Sequence, residues 1–142
     1  MVNAKMRDYD ETTFLNVDLD IYSRSRLEPL VEAFGEQVLV HYVGREGSRH
    51  SAHLALAESS DVADDMILSL VALVRSLPRS ARQLWNRAQT REFNVGIQAG
   101  KRPYSHELRL EPQTLEAVAR VRGRIVITTY GATEYPPDPS HP

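Results

Sequence analysis

The amino-acid sequence predicts an α+β domain in which a mixed β-sheet of about six strands carries helices on one face. Three observations lead to this prediction. A long amphipathic helix is expected near the middle of the chain, at 61–77. Segments that alternate between apolar and polar residues lie on both sides of it. The segments before and after this helix also resemble each other, which predicts two related strand–helix–strand units joined into one sheet.

The first half of the chain predicts a strand, a helix and a hairpin. Segment 14–22 alternates with the period of a strand that has one buried face. Ser23 or Ser25 can cap a helix at 26–34, and Gly35 can end it. The β-rich segments 37–43 and 48–57 flank a turn at 44–47, as in a hairpin. The residues expected on the buried face of the first strand are Leu15, Val17, Leu19 and Ile21.

The central helix and the second half follow the same logic. Apolar residues recur at steps of three and four through 61–77, which places them on one helix face, and Pro78 ends the helix. A shorter helix at 81–88, capped by Ser80, turns Trp85 inward. Strands are expected at 92–99, 106–110 and 124–130, with a helix at 112–122. Segments 27–42 and 115–130 share Leu, Glu, Gly, Val and Tyr at matching positions, which supports the two related units.

Length and composition indicate one soluble domain. The chain has 142 residues, and we expect a flexible N-terminus at 1–12, a single domain at 13–135 and a disordered, proline-rich tail at 136–142. The absence of cysteine excludes disulfides and thiol catalysis, and it is typical of a reducing cytoplasm. No apolar segment approaches the roughly 20 residues that span a membrane. A formal net charge of −2 argues against a polyanion-binding protein.

Strand periodicity also predicts a polar face on the side of the sheet away from the helices. This face is either simply solvated or a surface that binds a protein partner or a second copy of the chain, and we take binding as the working hypothesis. His41 or Tyr42, His53, and Thr128 or Tyr130 would join the face, depending on strand register. The candidate binding residues are Asn16, Asp18, Asp20, Tyr22, Asn94, Gln98 and Arg109.

Two alternative functions remain open. Asp18 and Asp20 lie on the same side of a strand and, with a histidine, could form the site of a small enzyme or ligand-binding protein. Their spacing matches no ligand motif, so we predict no catalytic residue, metal or cofactor. The segment 75–91, from Arg75 to Arg91, lacks acidic residues and could bind nucleic acid. That function is disfavoured because arginines suit helix C-termini and Trp85 suits the core.

Three runs of the sequence carry a resemblance to a family. FLNVDLDIYSRSRLEPLVEAFG, REFNVGIQAG and the closing RIVITTY resemble small conserved bacterial proteins to which no activity is assigned. The resemblance covers roughly 14–130 and brings no catalytic residue with it. Small α+β proteins of this size include immunity- and antitoxin-like proteins, and this analogy of fold favours a non-catalytic interaction module.

Overall fold

The first strand of the chain, β1 (Thr13–Ser23), lies at the centre of the sheet in the computed structural model, which describes residues 11–132. The other strands are β2 (Val38–Glu46), β3 (Arg49–Leu56), β4 (Thr90–Gln98) and β5 (Arg124–Tyr130). Their order across the sheet is β2-β3-β1-β4-β5. All neighbours are antiparallel except β4 and β5, which are parallel. The sheet is mixed, as predicted, but it has five strands in the described part of the chain.

Four helices cover one face of this sheet. They are α1 (Glu28–Phe34), α2 (Ala63–Arg75), α3 (Arg79–Arg87) and α4 (Pro112–Arg120). Each helix contributes buried residues to one core, which also contains the inward side chains of β1. Because the apolar residues of the sheet meet the helices on that side, the opposite face carries the polar residues, as the alternation predicted. Core residues from β1 and the four helices include Val17, Leu19, Ile21, Leu30, Leu70, Trp85 and Val118.

The predicted central helix forms the middle of the core. Leu70 and Val74 of α2 are fully buried. Trp85 of α3 is fully buried as well, and its indole N–H donates a 2.8 Å hydrogen bond to the backbone carbonyl of Val121. Its ring meets the ring of Phe93 in a T-shaped contact with centroids 6.3 Å apart. The position of Trp85 in the core is therefore confirmed.

The predicted sixth strand at 106–110 is wrong. This segment is irregular, although Leu108 and Leu110 pack against the core. To form a strand, this segment would have to pair with the edge of β4 that faces away from β1. β5 occupies that edge, and the segment instead leads to the start of α4. The two halves of the chain are consequently not equivalent units, because the second helix is not preceded by a strand of its own at this position.

A β-bulge at the start of β1 corrects a second expectation. The pairing of β1 with β4 shifts register between Phe14 and Asn16. Phe14 therefore packs against the core, and Leu15, predicted to be buried, is 48% exposed. Beyond the bulge, the predicted alternation holds, since Val17, Leu19 and Ile21 are all fully buried.

The start of the described region is held against the loop that follows β4. Thr12, which we expected to be flexible, donates its backbone N–H to the carbonyl of Arg102 at 2.9 Å, and its hydroxyl accepts the N–H of Gly100 at 3.0 Å. The remainder of the predicted flexible N-terminus and the predicted disordered tail at 136–142 lie outside the described residues. Within 11–132, no helix is both long enough and apolar enough to cross a membrane.

Candidate functional site

The face of the sheet opposite the helices, which we call the open face, collects most of the predicted binding residues. Cα partners in neighbouring strands share a face. Asp20 is paired with His53 on one side and Glu92 on the other, and Asp18 is paired with Asn94. The register thus resolves the open choices, because it places Tyr42, His53, Thr128 and Tyr130 on the open face and leaves His41 at a bulge. The predicted residues on this face are Asn16, Asp18, Asp20, Tyr22, Asn94 and Gln98.

Five side chains on the open face form a continuous row of hydrogen bonds, which we call the polar chain. It consists of Glu46, His53, Asp20, Asn94 and Thr128, one residue from each strand in the order of the sheet. Glu46 Oε1 lies 2.9 Å from His53 Nε2, and His53 Nδ1 lies 2.8 Å from Asp20 Oδ1. Asn94 donates to Asp20 Oδ2 at 3.3 Å, and Thr128 donates to Asn94 Oδ1 at 2.8 Å. The polar chain therefore crosses the whole sheet.

Asp20 is the most enclosed member of the polar chain. The residue is only 9% exposed, and each of its carboxylate oxygens accepts a hydrogen bond. Strand alternation predicts that Asp18 and Asp20 lie on the same side of β1, but it does not determine how far each is buried. Neighbouring strands supply side chains that enclose Asp20 from both sides. A buried carboxylate of this kind depends on its partners.

His53 lies between two carboxylates. Burial alone would lower the pKa of His53, but the hydrogen bonds and charges of Asp20 and Glu46 outweigh burial and raise it. Both ring nitrogens face carboxylate oxygens, so the doubly protonated ring satisfies both contacts at once. The hydrogen bond with His53 in turn lowers the pKa of Glu46. Carboxylate and imidazolium thus support each other's charged states.

Asp18 lies outside the polar chain, and its pKa is shifted in the opposite direction from that of Glu46. Partial burial raises the pKa of Asp18, and the neighbouring charge of Asp20 raises it further. The amide of Asn16 donates to Asp18 Oδ1 at 3.0 Å, which offsets only part of this effect. The two carboxylates that the sequence treated as a pair therefore have different environments.

Aromatic rings surround His53 on the open face. The ring of Tyr22 meets that of His53 edge to face, with centroids 5.7 Å apart, and the ring of Tyr42 lies at 6.1 Å. The guanidinium of Arg49 lies 4.0 Å from the centroid of Tyr22, within the range of a cation–π contact. Burial and the charge of Asp20 raise the pKa of Tyr22. These rings pack around His53, whose side chain is 25% exposed.

Apolar side chains flank the polar chain on both sides. Leu39 and Tyr42 lie on β2, and both are exposed. At the other side of the sheet, Tyr130 is 51% exposed, and the bulge of β1 adds Leu15. A Cβ atom at Gly96 would lie 3.8 Å from Tyr130 and 3.9 Å from Leu15, so both side chains border this glycine. The open face therefore combines a polar centre with apolar margins.

Two predicted residues do not contribute a free polar group to the face. The side-chain amide of Gln98 donates to the carbonyls of Ala99 at 3.1 Å and Gly131 at 2.9 Å, so it holds the end of β5. Arg109 is absent from the face because 106–110 is not a strand; it is exposed and forms an ion pair with Glu107.

Glu46 was not among the predicted binding residues. Segment 44–47 was predicted to be a turn, whereas β2 extends to Glu46.

The residues of the polar chain do not form a metal centre. In the part of the chain that the structure describes, no group of three or more histidine, aspartate or glutamate side chains is arranged to hold a metal ion. Two hollows in the surface, of about 680 and 220 Å³, are lined by other residues on the helical side of the protein.

Comparison with known proteins finds no matching family model, no similar curated protein and no similar solved structure.

Proposed function

We propose that the protein is a non-catalytic interaction module that binds a protein partner through the open face. The observation that carries this proposal is the polar chain, which crosses all five strands on the side without helices. Hydrogen bonds between its members hold their side chains in place before any partner arrives. A surface that is already ordered loses less conformational entropy on binding than a mobile one does.

The chemistry of the open face favours a partner with basic and apolar groups. The acidic side chains on the open face outnumber the basic ones: they are Asp18, Asp20, Glu46 and Glu92 against Arg49, His53 and Arg124. Charge complementarity would orient such a partner. The exposed leucine and tyrosine side chains at the margins offer apolar contact area, and tyrosine is enriched in protein interfaces. An immunity- or antitoxin-like role fits a surface of this kind.

Variants at the apolar margins test the proposal without disturbing the polar chain. Leu39→Ser and Tyr130→Ser change exposed side chains, so both should leave the fold intact. A partner captured by the wild-type protein should bind each variant about tenfold more weakly or worse, as loss of an interface anchor usually does. The matched control is Leu115→Ser, which changes a leucine of similar exposure on α4. Equal affinity of all four proteins would overturn the proposal.

The hydrogen bond between Asp20 and His53 favours a second candidate function, a small-ligand site that uses these residues. A histidine oriented by a carboxylate at one nitrogen can accept or donate a proton at the other. Glu46 occupies that second nitrogen, but its side chain is 44% exposed and could be displaced by a ligand. NMR titration with small-molecule fragments distinguishes the candidates, because this site requires saturable shifts centred on His53, Tyr22 and Tyr42. If these shifts are absent, the small-ligand function is excluded and the protein-binding function is retained.

A further inference from the structure

Two arginine-rich segments without acidic residues meet at one end of the protein. Segment 75–91 contains five arginines and segment 120–124 contains three. The hydrogen bond from Trp85 to the carbonyl of Val121 joins them, as does a 2.8 Å bond from Arg91 Nε to the carbonyl of Arg122. Of the 17 lysines and arginines in the whole chain, eight lie in these two segments: Arg75, Arg79, Arg82, Arg87, Arg91, Arg120, Arg122 and Arg124.

The smaller surface hollow lies within this arginine-rich region. Its volume is about 220 Å³, and it is formed where α2, α3 and α4 come together. Arg75, Arg82 and Arg120, one from each helix, line the hollow. The remaining lining is apolar and consists of Val71, Ala117 and Val121. The hollow therefore combines convergent positive charge with an apolar surface.

The positive charge around the hollow is only partly balanced. Arg120 forms a 2.5 Å ion pair with Glu116. Arg82 donates to the neutral amide oxygen of Asn86 at 3.4 Å. Arg75 has no ion pair with any residue in 11–132. Like charges held together raise the local positive potential, and that potential attracts anions.

The helix dipole favours the positions of only two of the three arginines that line the hollow. Arg75 and Arg120 are in the last turns of α2 and α4, where the dipole favours cations. Arg79 and Arg82 instead begin α3, and the first turn of that helix contains no acidic residue. The dipole disfavours cations at this end and favours an anion. A bound anion would balance both the helix end and the arginines.

We propose that this hollow binds a small molecule that carries a phosphate group. The planar guanidinium groups match the geometry of phosphate oxygens and can donate paired hydrogen bonds. A short apolar portion of the ligand would contact Val71, Ala117 and Val121. Sites for drug-sized ligands span roughly 300–1,000 Å³, so a hollow of about 220 Å³ suits a phosphoryl group with a small attached group.

The same region is poorly suited to nucleic acid. Single-stranded nucleic acids bind by stacking bases on exposed aromatic side chains beside a basic groove. Trp85 is the aromatic residue of the two arginine-rich segments, and it is fully buried. The region therefore lacks a stacking surface, and a discrete phosphate ligand is the better match.

Titration with inorganic phosphate and phenyl phosphate at low ionic strength tests this site. Both probes should bind saturably by calorimetry, and phenyl phosphate should bind more tightly because its ring contacts the apolar lining. Arg75→Gln, Arg82→Gln and Arg120→Gln should each weaken phenyl phosphate binding by about tenfold or more. Lys101→Gln, which removes one charge from an exposed turn outside the hollow, is the matched control and should bind like the wild type.

A second variant separates ligand geometry from charge and from folding. Arg82→Lys keeps the charge but loses the planar fork, so its affinity should fall between those of wild type and Arg82→Gln. Circular dichroism and thermal melting confirm that each variant is folded. Three results would overturn the proposal: no saturable phosphate binding, equal weakening by Lys101→Gln, or tight binding of single-stranded RNA that phenyl phosphate does not displace. None of them bears on the open face, which lies on the other side of the sheet.

Discussion

Asp64 on α2 caps α4 by accepting a 2.5 Å hydrogen bond from the hydroxyl of Thr114. The same oxygen, Asp64 Oδ1, accepts the backbone N–H of Glu111 at 3.0 Å. The residue at the N-cap of α4, Glu111, makes no side-chain capping bond of its own. One carboxylate thus holds together the first turns of two helices that are distant in sequence.

Replacement of Asp64 by alanine should lower the free energy of unfolding by about 1–2 kcal/mol, because α4 loses its cap and the buried hydroxyl of Thr114 loses its acceptor. Denaturation in urea measures this loss. Asp65→Ala is the control. Asp65 is exposed and lies in the same turn of α2, so both variants lose the same interaction with the helix dipole. Similar losses for both variants would show that the contact with Thr114 adds no stability.

Leu70→Ala should destabilise the protein by about 2–5 kcal/mol, the usual cost of a cavity at a fully buried leucine. The corresponding change at Leu115, which is half exposed, should cost much less because water already reaches that side chain. Chemical denaturation of both variants provides the comparison. A loss below about 0.5 kcal/mol at Leu70 would be incompatible with a core centred on α2.

The contribution of His53 to stability should depend on pH. Its pKa is raised in the folded protein, so protonation favours folding. This stabilisation is complete below the unfolded pKa of about 6.5 and disappears as the pH rises through the higher folded pKa. His53→Gln should therefore lower the free energy of unfolding more at about pH 5.5 than at about pH 8.5.

Urea denaturation at both pH values, supported by NMR titration of the ring, measures the effect. His106→Gln is the control because His106 is exposed and has no hydrogen bond or ion pair recorded within 11–132. If the difference in free energy of unfolding between wild type and His53→Gln is the same at both pH values, the raised pKa of His53 is contradicted.

Asp18→Asn and Asp20→Asn should have opposite effects at neutral pH. The pKa of Asp18 is raised, so its ionised form disfavours the fold, and removal of the charge should increase stability. Below the ordinary pKa of about 3.8 this gain should vanish, because wild-type Asp18 is then protonated in both states. Asp20→Asn instead removes the charged partner of His53 and should reduce stability by about 1–3 kcal/mol. Melting curves at pH 7 that shift in the same direction for both variants would be inconsistent with the structure.

The sequence was sufficient to predict features that depend on local periodicity. Alternation in β1 correctly separated Val17, Leu19 and Ile21 from Asp18 and Asp20, because the side chains of any strand alternate. The heptad-like spacing in α2 likewise identified its buried face. These predictions required no knowledge of which elements pair.

Features that depend on strand pairing could not be predicted in the same way. The bulge that exposes Leu15 exists only in the pairing of β1 with β4. Leu108 and Leu110 alternate as they would in a strand, yet an extended segment becomes a strand only if a neighbour is free to bond to it. Which histidine lies beside Asp20 could be decided only from the register of β3.

The convergence of the arginines illustrates the same limit at longer range. Segment 75–91 was recognisable in the sequence by its lack of acidic residues. Its meeting with 120–124 depends on the packing of α3 against the end of α4, where the buried Trp85 contacts Val121. Charge patterns along a chain therefore underestimate the charge that a fold can bring together.

A chain still under synthesis would complete β1 long before either of its neighbours in the sheet. Its neighbour β3 begins at Arg49, and its other neighbour β4 begins only at Thr90, so one edge of β1 has no partner until most of the protein exists. Pairings between distant segments form slowly, and unpaired edges associate readily with other chains. A nascent chain that stalls before Thr90 would present Val17, Leu19 and Ile21 beside that open edge and would be prone to aggregate.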